Sequence, residues 1–197
     1  MGANESPLLL ARHRLTVDSY YRMAEAGILP PGQRTELIDG EIIDMASIGS
    51  RHAAMVRRLG LLIDTAAAGR LEVRSQNPIR LGDHSEPEPD LLVVEWRNDF
   101  YAAAHPTPAD TKLLIEVADS TLRYDIQIKL PLYARHGVSE VWVIDLEGGQ
   151  LLRHRQPQGQ EGYVRVEVLT RPGVLVPDAA PELALDLSGL PLALKRG

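Results

Sequence analysis

The sequence predicts an α/β (α+β) fold in which helices flank a mixed central β-sheet, preceded by an N-terminal helix and a β-hairpin. Segments with helical spacing and short apolar runs follow one another in the order helix, hairpin, helix, several strands, helix, strands. The length of 197 residues, 44% of them apolar, suits one domain with a substantial core. We therefore expect residues 1–197 to form a single domain, with residues 1–15 as a flexible N-terminus.

The first predicted helix covers "VDSYYRMAEA". Thr16 is suited to cap its start, and Gly27 with the two prolines that follow favours its end. A hairpin is predicted in "RTELIDGEIIDM", because Asp39-Gly40 separates two short alternating runs. A type I′ turn requires positive φ at both central positions, and this dipeptide adopts it readily.

A second helix is predicted from Ser50 through "HAAMVRRLGLLIDTAAA" to Gly69, because its apolar residues recur at helical spacing. Strands dominate the rest of the chain. The expected strands are "LEVRSQ" paired with "PIRL", then "LLVVEW", "TKLLIEVAD", "EVWVID", "QLLRHR" and "GYVRVEVL". One helix, "DIQIKLPLYARH", interrupts them, and Pro131 is expected to kink it or to mark a short first segment. The segment "LALDLSGLPLAL" fits either a strand or a short helix.

Composition excludes several classes of protein. The chain has no cysteine, which excludes disulfides, thiolate zinc sites and cysteine nucleophiles and fits a reducing compartment. No apolar run approaches the roughly 20 residues of a membrane span, and the N-terminus lacks the regions of a signal peptide. We expect a soluble, cytoplasmic protein without membrane contact. The net charge of -6 argues against coating nucleic acid through bulk positive charge, but it suits a metal site built from carboxylates.

Three acidic residues stand out by position. Glu116 interrupts the apolar run "LLIEVA", where an ionised carboxylate costs several kcal/mol unless something pairs with it. Asp90 opens the apolar run "LLVV", and Glu36 leads the first arm of the hairpin. Acids on neighbouring strands that come close together remain ionised only with a cation between them, and oxygen ligands favour Mg²⁺ or Mn²⁺. The alternatives are a salt bridge for Glu116, a turn position for Asp90 and a solvated position for Glu36.

The last predicted helix places Asp125, Lys129 and Tyr133 four residues apart on one face. A lysine that faces a metal–carboxylate cluster can orient the attacking water and stabilise a pentacovalent phosphorane. Asp125 alone would suit a helix N-terminus, and Lys129 alone would suit solvent. His52 is either a first-turn residue or a neighbour of the site. Arg57 and Arg58 suit a solvated helix face, and together with His52 they are the candidates for a local basic patch. The loop residues His84, Glu86 and Glu88 are expected to be exposed, although Glu88 is close to Asp90.

The motifs together resemble a known family. The segments "ELIDGEIIDM", His52, "PDLLVV" and "LLIEVADSTLRYDIQIKLPLYARHGVSEVWVID" are similar to the Uma-type restriction endonucleases of the PD-(D/E)xK nuclease superfamily, from about Thr16 to the end of the chain. The resemblance implies a restriction-endonuclease-like sheet flanked by helices, a divalent metal and hydrolysis of DNA phosphodiesters. By position it makes Asp90 the motif aspartate, Glu116 the second acid and Glu36 the hairpin acid.

One position departs from the superfamily pattern. The lysine usually stands two residues after the second acid, where this chain has Ala118, and the resemblance places the functional lysine at Lys129. The implied catalytic residues are Asp90, Glu116 and Lys129, and the implied metal ligands are Glu36, Asp90 and Glu116. The implied partners are DNA and a second copy of the chain, because a double-strand cut needs two active centres. Two alternative functions remain: a relative that binds nucleic acid or protein without cutting it, and a hydrolase of a smaller phosphoester.

Overall fold

The computed structural model describes residues 12–30 and 32–192, and it confirms the predicted fold class. A six-stranded mixed sheet forms the centre, with strands in the order β3-β4-β5-β6-β7-β8. The helices are α1 Val17–Glu25, α2 Ser50–Ala67, α3 Leu122–Tyr124 and α4 Leu130–Arg135. The strands are β1 Thr35–Ile38, β2 Glu41–Asp44, β3 Leu71–Ser75, β4 Leu91–Glu95, β5 Thr111–Ala118, β6 Glu140–Asp145, β7 Gln150–Pro157, β8 Tyr163–Leu169, β9 Val174–Leu175 and β10 Leu185–Asp186.

The first helix and the hairpin form as predicted. The Thr16 side chain accepts a hydrogen bond from the Ser19 N–H at 3.1 Å and caps α1. Asp39 and Gly40 both have positive φ, 51° and 80°, at the turn between β1 and β2. A Cβ at position 40 would lie 2.6 Å from the Cβ of Arg14, so the close approach of the chain also requires glycine.

The predicted flexible N-terminus falls mostly outside the described residues, which begin at Arg12. At Leu15 the chain lies against the hairpin, where the Leu15 N–H donates to the Gly40 carbonyl at 3.1 Å. Among the described residues, no helix is both long and apolar enough to cross a membrane.

The pairing of β4, β5 and β6 determines where the acids meet. β5 runs parallel to β6 and antiparallel to β4. Leu91 at the start of β4 pairs with Ile115, and Glu116 pairs with Val143 of β6. Asp90, which directly precedes β4, therefore lies beside Glu116 on the next strand, as the sequence predicts.

Both faces of the central strands are covered. On one face, α2 and the C-terminal segment bury side chains that include Leu59, Ile63, Ile115 and Trp142. On the other face, α4 and the loops around it bury a second set that includes Leu114, Leu132, Tyr133 and Val143. Burial on both faces explains why β4, β5 and β6 are continuous apolar runs.

Two details differ from the predictions. The segment "PIRL" does not pair with β3, which pairs with β4 instead, because the Ile79 and Arg80 N–H groups donate to loop carbonyls. The final predicted helix begins earlier, at Leu122, and widens into a π-helical turn over Asp125–Lys129 before α4. The Leu130 N–H donates to the Asp125 carbonyl in this turn, which accommodates Pro131, a residue without an N–H. The C-terminal segment contributes the two-residue strand β10, paired with β9.

Candidate active site

A cavity of about 340 Å³ opens where five parts of the chain meet. They are the hairpin, the start of α2, the N-terminal end of β4, the C-terminal end of β5 and the π-helical turn. Seven carboxylate side chains line it, against two basic side chains, Arg34 and Lys129. The seven are Glu36, Asp44, Glu88, Asp90, Glu116, Asp119 and Asp125. Such an excess of negative charge repels an anionic substrate unless a cation joins the site.

Glu116 lies at the base of the cavity and is 3% exposed. Its Oε1 accepts hydrogen bonds from the Lys129 Nζ at 3.1 Å and from the Tyr133 hydroxyl at 2.6 Å. Burial raises the pKa of Glu116, and the nearby carboxylates of Asp125 and Asp90 raise it further, while the Lys129 ammonium opposes them. The basic partner that the simplest explanation for a buried glutamate requires is therefore present, and it is Lys129.

Lys129 is also buried, and it lies between two acids. Its Nζ is 3.3 Å from the Glu36 Oε2, in addition to its contact with Glu116. It also donates to the Glu88 carbonyl at 3.4 Å. Burial disfavours the ammonium form, but the carboxylates of Glu116 and Glu36 outweigh burial and raise the pKa of Lys129. Lys129 therefore carries its positive charge into the base of the cavity.

Glu36 and Asp90 are held by donors from several elements. The Tyr124 hydroxyl donates to the Glu36 Oε1 at 2.8 Å, and the Glu88 N–H donates to its Oε2 at 3.0 Å. The Val117 N–H donates to the Asp90 Oδ2 at 2.8 Å, which ties Asp90 to β5. The His52 Nε2 lies 2.8 Å from the other Asp90 oxygen.

Asp125 and Tyr133 complete the predicted helical face. The Thr121 hydroxyl donates to the Asp125 carboxylate at 2.8 Å. Burial raises the pKa of Asp125 to about 6, against the opposing effect of Lys129. Burial and the Glu116 carboxylate raise the pKa of Tyr133 well above its ordinary value, so the hydroxyl stays protonated and donates to Glu116.

The structure brings most of the predicted site residues to one place. Residues that line the cavity are Glu36, His52, Asp90, Glu116, Asp125 and Lys129, and Tyr133 contacts Glu116 from the packed side of the helix. Arg57 and Arg58 are exposed on α2 and do not line the cavity.

Several residues of the cavity were not predicted from the sequence. Glu88 is part of its wall and pairs with Arg34, although it was expected to be exposed. The same expectation is wrong for Glu86, which is buried and accepts a hydrogen bond from the Tyr21 hydroxyl. The alternation in "EPEPD" could have pointed to Glu88, because residues two apart on an extended chain share a face. No signal in the sequence marks Tyr124.

The side chains are not arranged as a preformed metal site. Within the described residues, no group of three or more histidine, aspartate or glutamate side chains could hold a metal ion as placed. The donor chemistry nevertheless fits a hard cation. Asp90 and Glu116 provide carboxylate oxygens at an acid-rich cavity, and both hydrogen bonds to Glu116 fall on one of its two oxygens.

A solved structure from Anabaena variabilis, described as a putative nuclease belonging to DUF820, matches this chain with a TM-score of 0.66. The match covers 88% of this chain and 95% of that chain at 22% sequence identity, and it shows that the two share a nuclease-like fold.

A family model described as "Putative restriction endonuclease" matches residues 17–188, so the chain belongs to the Uma2 family. No curated protein sequence matches the chain.

Proposed function

We propose that this protein is a divalent-metal-dependent endonuclease that hydrolyses phosphodiester bonds in DNA. The observation that carries the proposal is that Asp90 meets the buried side chains of Glu36, Glu116 and Lys129 at one cavity, in a chain of a restriction endonuclease family. The strong excess of carboxylates at the cavity supports a requirement for a cation, because DNA phosphates would otherwise be repelled.

Asp90 and Glu116 would hold Mg²⁺ or Mn²⁺. When bound, such an ion lowers the pKa of a water ligand and polarises a phosphoryl oxygen. Asp90 is suited to this role because one of its oxygens is fixed by the Val117 N–H, while the other lies 2.8 Å from the His52 Nε2 at the cavity. Glu36, a predicted ligand, accepts from Tyr124 and Glu88 and contacts Lys129. These contacts support a different role for Glu36, in which it positions Lys129.

Lys129 would act on the reacting groups. Its ammonium can orient the attacking water and stabilise the negative charge that develops on the phosphorus centre. Glu36 and Glu116 fix the ammonium from two sides and keep it protonated. Lys129 thus provides, from the helix, the charge that most superfamily members carry on the strand, where this chain has Ala118.

Supercoiled plasmid and single-stranded DNA, incubated with Mg²⁺ or Mn²⁺, test the proposal. We expect nicking that stops when the metal is removed with EDTA and that is lost in Asp90→Asn and Glu116→Gln. Glu95→Gln is the matched control, because Glu95 lies at the opposite end of β4 and pairs on the surface with Lys112.

Other outcomes would contradict the proposal in distinct ways. Nicking that persists equally in Asp90→Asn and Glu116→Gln would exclude this cavity as the active centre. DNA binding by a wild-type protein that never cuts would favour a non-cutting relative, and turnover of a small phosphoester alone would favour the smaller-substrate hydrolase.

A further inference from the structure

The outer edge of the sheet at β8 is open. β8 is seven residues long, pairs with β7 on one side, and has no strand partner on its other side among the described residues. Unpaired N–H and C=O groups along such an edge form a template for another strand. The opposite edge strand, β3, is shorter and packs against α2, so the two edges are not equivalent.

The open edge carries an apolar stripe. Val164, Val166 and Val168 alternate along β8 and are 54%, 51% and 57% exposed. Arg165 and Glu167 lie between them and point to the other face of the sheet. An exposed row of β-branched residues on an unpaired edge favours strand addition, because apolar burial and backbone pairing act together.

The charges on β8 are only partly neutralised within the chain. Arg165 lies directly across from Arg155 of β7, a like charge, and it has no ion-pair partner among the described residues. Glu167 pairs with Arg155 at 2.7 Å and more loosely with Arg153 at 3.8 Å, and its side chain remains 44% exposed. Arg165 therefore lacks a carboxylate, and Glu167 can accept a further cation.

We propose that β8 pairs antiparallel with β8 of a second copy of this chain, about a two-fold axis at Val166. In this register, Arg165 of each copy lies opposite Glu167 of the other, and Val164 lies opposite Val168. The pairing covers the whole strand from Tyr163 to Leu169. This inference is independent of the proposed nuclease activity, because it uses no residue of the cavity.

Other registers of the two β8 strands pair their side chains less favourably. A slip of one residue puts the valines of the two copies on opposite faces of the joined sheet. An axis at Arg165 places two arginines opposite each other, and an axis at Glu167 does the same with two glutamates. Charge complementarity therefore selects Val166 as the centre.

The first test is sedimentation of the full chain over a range of concentrations. We expect the mass to rise from 21.7 kDa for one chain towards twice that value. Arg165→Glu should abolish the rise, because it sets two acids against each other, and it should not unfold the monomer, because it places an acid beside Arg155. Arg171→Glu, the same charge change at an exposed position beyond the strand, should leave the rise unchanged.

The second test is disulfide cross-linking. The chain has no native cysteine, so an introduced cysteine has no competing thiol. Val166→Cys should form a cross-linked dimer on mild oxidation, since the two sulfur atoms would face each other at the axis. Val164→Cys, at an equally exposed position, should not, because its counterpart would be four residues away, about 13 Å along the strand.

A chain that stays monomeric at all concentrations would overturn the proposal. A monomer whose β8 amides are nevertheless protected from hydrogen exchange would identify the chain itself as the occupant of the edge, and it would overturn the proposal as well. A dimer that forms equally in Arg165→Glu, or equal cross-linking at positions 164 and 166, would place the contact elsewhere, which also contradicts the proposed pairing.

Discussion

Two glutamates, Glu116 on β5 and Glu140 on β6, are buried on adjacent strands of the same sheet, yet their surroundings differ. One oxygen of Glu140 accepts from the Trp142 indole N–H at 2.6 Å and the Arg153 Nε at 2.7 Å. Its other oxygen accepts the Asp178 N–H at 2.8 Å. This glutamate joins β6, β7 and the C-terminal segment.

Glu116 has fewer partners and more negative charge around it. Its two hydrogen bonds fall on one oxygen, and the carboxylates of Asp90 and Asp125 disfavour its ionised form. Burial of an acid therefore does not by itself indicate a functional site. A fully paired acid stabilises the fold, whereas a cluster with surplus negative charge is arranged for a further cation.

The largest expected effect is on stability, in Glu140→Gln. In either orientation, the amide would point an N–H₂ group at a donor, either the Asp178 N–H or the Trp142 and Arg153 pair. We expect a loss of about 3 kcal/mol in the free energy of unfolding, because the amide opposes a buried donor and Arg153 keeps only the more exposed carboxylates of Asp178 and Glu167. Urea denaturation followed by circular dichroism measures it.

Glu116→Gln provides the matched comparison. We expect it to change the free energy of unfolding far less at pH 8, because it removes one negative charge from a cluster with an excess of carboxylates. We also expect it to abolish nicking. If the two variants lost similar stability, the contrast between a structural and a functional glutamate would be wrong.

The second effect is on catalysis, in Lys129→Ala. The ammonium is positioned to act mainly in the transition state, so its loss should slow single-turnover cleavage by roughly 10²-fold and change DNA affinity less. Lys129→Arg should restore little of the cleavage rate, because a planar guanidinium does not replace a compact ammonium between Glu36 and Glu116.

Lys112→Ala, on the same strand as Glu116, is the control for Lys129 and should cut at the wild-type rate. Because Lys129→Ala leaves two buried acids without a counter-charge, circular dichroism has to establish that the variant is folded at the assay temperature. A folded Lys129→Ala that cuts like the wild type would exclude the catalytic role.

The third effect is the pH dependence of stability without divalent metal. Burial raises the pKa of Glu116 from an ordinary 4.5 to about 8, so the folded state retains a proton that the unfolded state has lost. The contribution of Glu116 to the free energy of unfolding should therefore fall as pH rises from about 4.5 to about 8.

Glu116→Gln should reduce this dependence of the free energy of unfolding on pH. Glu116 dominates the range from pH 6.5 to 8, because Asp125, with a pKa of about 6, and His136 and His154, whose pKa values burial lowers, titrate mostly below it. An equal slope in the wild type and in Glu116→Gln would assign the pH dependence to another group.

The sequence predicted the carboxylates better than their partners. Asp90 and Glu116 could be found because each breaks or opens an apolar run, and strand pairing then brings them together. The π-helical turn could not be found, since Pro131 indicates a disturbed helix but not the form that it takes. Arg34, Glu88 and Tyr124 were missed because each reaches the cavity from a segment whose position depends on long-range packing. Local patterns do not encode such packing.

The smallest effect distinguishes two tyrosine hydroxyls that donate hydrogen bonds inside the chain. The Tyr133 hydroxyl donates to the Glu116 carboxylate at 2.6 Å, and the Tyr163 hydroxyl donates to the Val138 carbonyl at 2.8 Å. Tyr163→Phe should lower the free energy of unfolding by about 1 kcal/mol at every pH, because its acceptor does not titrate. Tyr133→Phe should cost a similar amount near pH 5 and more as pH rises past 8, because a bond to an ionised carboxylate is stronger. Urea denaturation of both variants at pH 5, 7 and 9 measures the difference between them. A constant difference would mean that Glu116 does not change its ionisation in this range, and the contrast between Glu116 and Glu140 would then rest on geometry alone.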